Sequence, residues 1–292
     1  MRQPAEIEVT LPNGRWKQGR CVRQVRVRAI PEGAPDLSEN LTEHALPISR
    51  VSALLERCVP ISESLEQDEP DWTGELSLGD REALLLHIRR LTFGDRIPCT
   101  LQCPRCAESM DFELQAHQLV LPEAENPEPF YEEAFEVNGT RWRVRFRIPR
   151  ACDLEAVIVD TDQRTEEAAA AVLRSCVDWV RTETGSNATG NAPPSPWPAE
   201  LEAQISARMA DLDPQAEIAL QLECPACGHK FSSTFDSADY FFRELESREK
   251  QLLYDVHRLA LAYHWTEHDI LRMTPRKRKL YLELLEEGSS SD

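Results

Sequence analysis

Four of the nine cysteines form two Cys-x-x-Cys pairs whose surroundings repeat: Leu101-Gln102-Cys103-Pro104-Arg105-Cys106 is echoed by Leu222-Glu223-Cys224-Pro225-Ala226-Cys227. A tetrahedral zinc ion takes four thiolates at about 2.3 Å, and one tight turn of this spacing presents two of them. Strand-like residues precede each pair (97–101 and 218–222) and follow it (110–114 and 231–235), so two similar hairpins with cysteines at their tips are expected. Gly228 after the fourth cysteine suits such a turn, and Ala107 stands at the equivalent place in the first pair. The separation of the two pairs far exceeds ordinary ribbon spacing, so the assignment rests on the repeated hairpin context. One structural Zn²⁺ held by Cys103, Cys106, Cys224 and Cys227 is the expectation. Four protein thiolates fill the tetrahedron and leave no position for a catalytic water. A thioredoxin-like redox pair sits where a strand enters a helix, whereas strands flank both pairs here.

Other chemistry-bearing residues carry less. His264-Trp265-Thr266-Glu267-His268 matches the H-x-x-E-H pattern of inverted zinc peptidases, which requires both histidines on one face of a continuous helix. Thr266, with Asp269 three residues on, reads instead as a helix start that breaks the segment into a corner anchored by Trp265. The other five cysteines, Cys21, Cys58, Cys99, Cys152 and Cys176, lie among apolar residues and read as buried small side chains of a reducing compartment. No phosphate-binding glycine loop or serine nucleophile motif is present, so the sequence points away from an enzyme.

The cysteine pairs need elements to hold them, and turn and capping signals supply these. Residues 6–11 and 20–30 alternate as two strands joined through Pro12-Asn13-Gly14, followed by an acidic stretch, a helix near 49–58 and a loop over 60–74. Ser77 caps a helix carrying Leu84, Leu85, Ile88 and Leu91, with Gly94 just past its end. Asn138-Gly139 marks a hairpin between 135–137 and 141–148. In its second strand Trp142, Val144, Phe146 and Ile148 share one face and Arg141, Arg143, Arg145 and Arg147 the other, read as a solvated surface. Helical periodicity follows from Leu154 and over 166–180, then a Gly, Asn, Ser and Pro-rich flexible linker over 182–198. Ser237 opens a long helix with Phe242, Leu245, Leu252, Val256, Leu259 and Tyr263 at three-to-four spacing; Thr266 and Thr274-Pro275 cap two short helices after it.

These elements predict an α+β chain: a zinc ribbon of two β-hairpin knuckles split by a long α/β insertion, with an N-terminal β-hairpin and C-terminal helices. The expected organisation is 1–76 for the hairpin and acidic segment, 77–236 for the helix and split ribbon with insertion 115–215, 237–287 for the C-terminal helices, and a disordered tail over 288–292. The formal net charge of −18 repels phosphate backbones and anionic membranes and counts against a nucleic-acid ribbon. No apolar run approaches the roughly 20 residues that cross a bilayer, and no signal peptide is evident, so a cytoplasmic protein without a small-molecule substrate is expected. The basic residues Arg272, Arg276, Lys277, Arg278 and Lys279 stand out in this acidic chain beside Leu280, Tyr281, Leu284 and Leu285.

Three runs in order resemble a known family. They are Leu91-Thr92-Phe93-Gly94-Asp95 before the first cysteine pair, Asp213-Pro214-Gln215-Ala216-Glu217 before the second, and Ala262-Tyr263-His264-Trp265-Thr266-Glu267-His268-Asp269-Ile270-Leu271. Over residues 77–286 the chain resembles the baseplate-hub assembly proteins, or assembly chaperones, of T4-type contractile-tailed phages and of related bacterial contractile injection systems. The resemblance implies a non-enzymatic protein that assembles the hub or remains a minor component of the particle, with baseplate, hub or spike proteins as partners. Trp265, Arg276, Lys277, Arg278 and Tyr281 are then the expected partner-binding residues. The zinc expectation comes from this sequence and not from the resemblance, and the N-terminal hairpin lies outside it. The competing class is a nucleic-acid-binding zinc-ribbon regulator that uses the arginines of 141–147 or the cations of 272–279.

Overall fold

The computed structural model describes residues 6–30, 47–60, 71–160, 165–182 and 197–289. The chain divides into two units, one formed by Met1–Ile30 with Ala45–Ala238 and the other by Pro31–His44 with Asp239–Asp292. Parts of the expected acidic stretch, the 60–74 loop and the 182–198 linker lie outside the described residues.

The first unit opens with the antiparallel strands β1 (Glu6–Lys17) and β2 (Arg20–Arg28), which turn at Gln18-Gly19. The turn expected at Pro12-Asn13-Gly14 is not there. Those residues form a bulge inside β1, where the register jumps between Thr10 and Arg15. Proline and glycine next to asparagine serve a bulge as well as a turn, because both need a residue without a ladder hydrogen bond and one with unusual backbone angles. Helix α1 (Pro47–Cys58) follows, then α2 (Leu78–Phe93), capped by the Ser77 hydroxyl, which accepts the Asp80 amide at 3.1 Å. Helix α2 is buried on most sides, with Leu84, Leu85, Leu86 and Ile88 at 2% exposure or less, and it contacts α1, β1 and β2.

Strands β3 (Arg96–Gln102) and β4 (Ser109–Gln115) form the first cysteine hairpin, and a single helical turn α3 (Ala116–Leu119) closes it. A three-stranded antiparallel sheet of β5 (Tyr131–Val137), β6 (Thr140–Phe146) and β7 (Val177–Thr182) comes next, with α4 (Ala151–Asp160) and α5 (Thr165–Cys176) between β6 and β7. Helical periodicity continued through residue 180 in the sequence; the structure ends the helix at Cys176 and adds β7 to the sheet edge. Val177 and Val180 are β-branched and pair beside Phe146 and Val144, and tertiary pairing overrides the helical pattern.

Helix α6 (Ala199–Leu212) covers this sheet through Leu201, Ile205 and Met209, which join Phe135, Val137, Val144, Phe146, Val177 and Val180 in one core. Trp197 belongs to that core at 7% exposure, and Thr182 lies in β7, so both ends of the expected linker are packed structure. A 3-10 turn at Pro214–Ala216 leads into β8 (Ile218–Glu223) and β9 (Lys230–Phe235), the second cysteine hairpin. The α+β class with small antiparallel sheets is therefore observed.

The second unit contains most of α7 (Ser237–Tyr263), the short α8 (Glu267–Leu271) and α9 (Pro275–Ser289). Val256, Leu259, Ile270 and Leu282 form its core. Tyr263 stacks on Trp265 at 4.5 Å between ring centroids, and Tyr281 meets Trp265 edge-on at 4.8 Å. The last helix continues through Gly288 to Ser289, where a disordered tail was expected; no proline follows Gly288 to stop it. Among the described residues no helix is long and apolar enough to cross a membrane.

Candidate metal centre

The two cysteine hairpins close with the same backbone pattern. In the first, the Cys103 amide donates to the Glu108 carbonyl at 2.9 Å and the Ala107 amide to the Cys103 carbonyl at 2.9 Å. In the second, Cys224 donates to His229 at 2.9 Å and Gly228 to Cys224 at 2.8 Å. Ala107 and Gly228 both hold positive φ, 58° and 67°, so alanine adopts the shape that glycine takes freely. The repeat read in the sequence is a repeat of conformation.

The tips meet. Cys106 Sγ lies 3.7 Å from Cys224 Sγ, and Cys103 Sγ lies 3.8 Å from Cys227 Sγ. All four sulfurs fall within 4.8 Å of one another. Four thiolates about 2.3 Å from a common centre stand about 3.8 Å apart in a tetrahedron, so the sulfur spacing fits a metal ion. A disulfide needs about 2.05 Å, and all four are free cysteines. Burial works to raise the Cys103 thiol, but the amides of Cys106 and Arg105 donate to its sulfur and hold it down at about 7. Amide donors aimed at sulfur favour the thiolate, the form that binds metal. Cys103 and Cys224 are buried, Cys227 half-buried and Cys106 exposed. The four cysteines can hold a metal ion.

The apolar neighbours of the sulfurs are Met110, Leu101 and Phe231. Two-stranded hairpins with so small a core are marginal in water, and a bound ion contributes what the core lacks.

A second constellation went unread in the sequence. The Asp80 carboxylate accepts the Asn13 amide at 2.8 Å and the Gly14 amide at 2.9 Å, so the β1 bulge docks on the N-terminus of α2. Asp213 accepts the Gly79 amide at 2.9 Å and the Asn13 side-chain amide at 2.7 Å. A Cβ on Gly79 would come 1.9 Å from Asp213 Oδ1, so only glycine admits the carboxylate there. Gln215 donates to the Leu119 carbonyl at 3.2 Å and accepts the Leu121 amide at 2.6 Å. Burial pushes Asp80 up to about 7 and also raises Asp213. The available signal was Ser77 with Asp80, half a capping box whose acid also bonds a distant strand.

The remaining candidates separate. His264 has a φ of +55° just past α7, and Glu267 begins α8, so the H-x-x-E-H residues do not share one helix. Arg145 lies 3.3 Å from Asp178, and Arg147 pairs with Asp153 at 2.6 Å, so part of the arginine face is already neutralised. Arg276, Lys277 and Lys279 are exposed, whereas Arg278 is 7% exposed and donates to the Met273 carbonyl at 2.7 Å. Trp265 and Tyr281 are half-buried in the stack described above.

In a comparison with known protein families, residues 39–243 match the model described as T4 bacteriophage base plate protein. That span contains both cysteine hairpins, α2, the β5–β7 layer and Asp213; it leaves out β1, β2 and the helices beyond residue 243. Neither the curated proteins nor the solved structures contain a significant match.

Proposed function

The chain belongs to the T4 bacteriophage base plate protein family, and from that premise we propose that it is a non-enzymatic assembly or adaptor protein of a contractile-tail baseplate hub. Family membership supports a structural or assembly role in a phage tail. In this reading the two hairpins are a split zinc ribbon, with one structural Zn²⁺ on Cys103, Cys106, Cys224 and Cys227, and the insertion over 115–215 folds between them. The observation that carries the metal assignment is the spacing of 3.7 and 3.8 Å between sulfurs of different hairpins, which matches a tetrahedral thiolate edge. All-thiolate coordination suits zinc among the common ions, and a filled tetrahedron suits a structural role.

The partner surface in this proposal is the C-terminal helical region, 237–287. Arg276 and Lys277 are exposed at the start of α9, and Leu280 and Leu284 follow at 52% and 56% exposure. Cations beside exposed leucines, in a chain of net charge −18, suit an acidic surface with an apolar centre on a hub or spike protein. Trp265, Tyr281 and Arg278 shape that surface from beneath, since they stack or bond within the unit. The test is capture from cells assembling tails. Wild-type protein should retain baseplate components, and Arg276→Glu with Lys277→Glu should lose them while metal content stays unchanged. Retention by the double variant would move the surface elsewhere, and steeply salt-dependent binding of polynucleotide would favour the nucleic-acid reading.

A further inference from the structure

The four sulfurs differ in what reaches them. Cys103 and Cys224 are 2% and 1% exposed, while Cys106 is open to solvent. The close contacts also have a direction: Cys106 meets Cys224, and Cys103 meets Cys227, each across the two hairpins. We infer that Cys106 is an oxidation site for small hydroperoxides and that its oxidised form is resolved by Cys224, replacing the metal clamp with a disulfide between hairpins. This inference rests on the metal reading proposed above.

The chemistry balances. The Cys106 thiolate attacks one peroxide oxygen, the O–O bond breaks, and hydroxide leaves, giving a sulfenic acid. The Cys224 thiolate then attacks the Cys106 sulfur, the S–O bond breaks, and a second hydroxide leaves. Two thiolates have lost two electrons to the peroxide, and the metal, deprived of two of its four ligands, departs. Exposure selects Cys106 as the first sulfur, because a peroxide must reach the sulfur that it oxidises. Proximity favours Cys224 as the resolving sulfur.

The consequence is a joint that outlasts its metal. A disulfide inside one Cys-x-x-Cys turn would free the two tips from each other, whereas Cys106 to Cys224 keeps them tied. Cys103 and Cys227, 3.8 Å apart, can form a second tie in the same sense. A protein assembled in a reducing cell and then carried outside on a tail would meet this change of conditions.

The test uses the full wild-type chain, with zinc measured first and hydrogen peroxide as the oxidant. Exposure to peroxide should release the zinc to a chromophoric chelator at one equivalent per chain. A cyclic diketone trap should label Cys106, and non-reducing peptide mapping should find Cys106 joined to Cys224. Zinc that stays bound under peroxide, a label on another cysteine, or a Cys103 to Cys106 disulfide would each overturn the inference. Protein purified without zinc would instead overturn the metal reading. Peptide mapping of that metal-free chain would still decide between pairing across hairpins and pairing within them.

Discussion

Two regions of the first unit tie together segments far apart in sequence, and they do so with opposite chemistry. At the hairpin tips, Cys106 and Cys224 are 118 positions apart and there is little apolar packing around the sulfurs. At the start of α2, Asn13 and Asp213 are 200 positions apart, but they meet among fully buried side chains. The first joint sits where the apolar core is small, and its four cysteines can hold a metal ion that would tie the tips. The second is enclosed, and ordinary hydrogen bonds suffice because water cannot compete for them. A clamp's chemistry follows from how much burial surrounds it.

Metal removal should separate the two joints most sharply. Structural zinc contributes on the order of 10–16 kcal/mol in zinc-finger peptides, and here its loss should be felt locally. With a chelator, amides in β3, β4, β8 and β9 should lose hydrogen-exchange protection while those of α2 and the β5–β7 layer keep it. Simultaneous loss everywhere would show that the two joints form one cooperative unit.

Asp213→Ala should damage the other joint. It strands the Gly79 amide in a buried place, at about 1–3 kcal/mol for an unsatisfied group, and leaves the Asn13 side-chain amide with Ser77 as its remaining partner. The denaturant midpoint should fall accordingly and the metal content should not change. A variant as stable as wild type would mean that the carboxylate contributes nothing net.

The joints should also answer pH in opposite directions. Burial holds Asp80 at about 7 and raises Asp213, so each binds its proton more tightly folded than unfolded. Their contribution is complete below the usual carboxylate range and is lost as pH rises through about 7, with a slope of at most about 1.4 kcal/mol per pH unit for each group. Thiolate coordination runs the other way, because acid protonates the ligands and releases the metal. Metal-free protein should therefore lose stability between about pH 4 and 7, and Asp80→Asn should flatten that slope. A stability that rises over this range would contradict the buried-carboxylate account.

The smallest effect should come from Gly228→Ala. Nothing lies within 4 Å of the added Cβ, so the cost is that of the positive φ alone, about 1 kcal/mol. Ala107 already bears the same cost in the first knuckle, and the variant should keep its metal. Loss of metal in Gly228→Ala would show that the two knuckles are not equivalent.

The meeting of the four cysteines was legible because it is written in residue type and local spacing: Cys-x-x-Cys twice, each between strands. The Ser77 cap of α2, the turns after Val137 and at Thr266, and the break in the H-x-x-E-H segment were legible for the same reason, since capping and turn chemistry are local. The carboxylate joint was not. Nothing near Asp213 says that it will meet Gly79, and the Asp213-Pro214-Gln215 run carried only a family resemblance. Pro12-Asn13-Gly14 misled because a bulge and a turn use the same residues, and only pairing with β2 distinguishes them. Strand β7 was hidden behind a helical period that its neighbour β6 overrides.

The most direct test of the metal clamp is native mass spectrometry of protein purified without chelator, alongside the Cys103→Ser, Cys224→Ser double variant. The account predicts one zinc per wild-type chain and none in the variant, with the β5–β7 layer still protected from exchange. A wild-type chain that carries no metal and yet keeps both hairpins ordered, its four thiols open to alkylation, would contradict it.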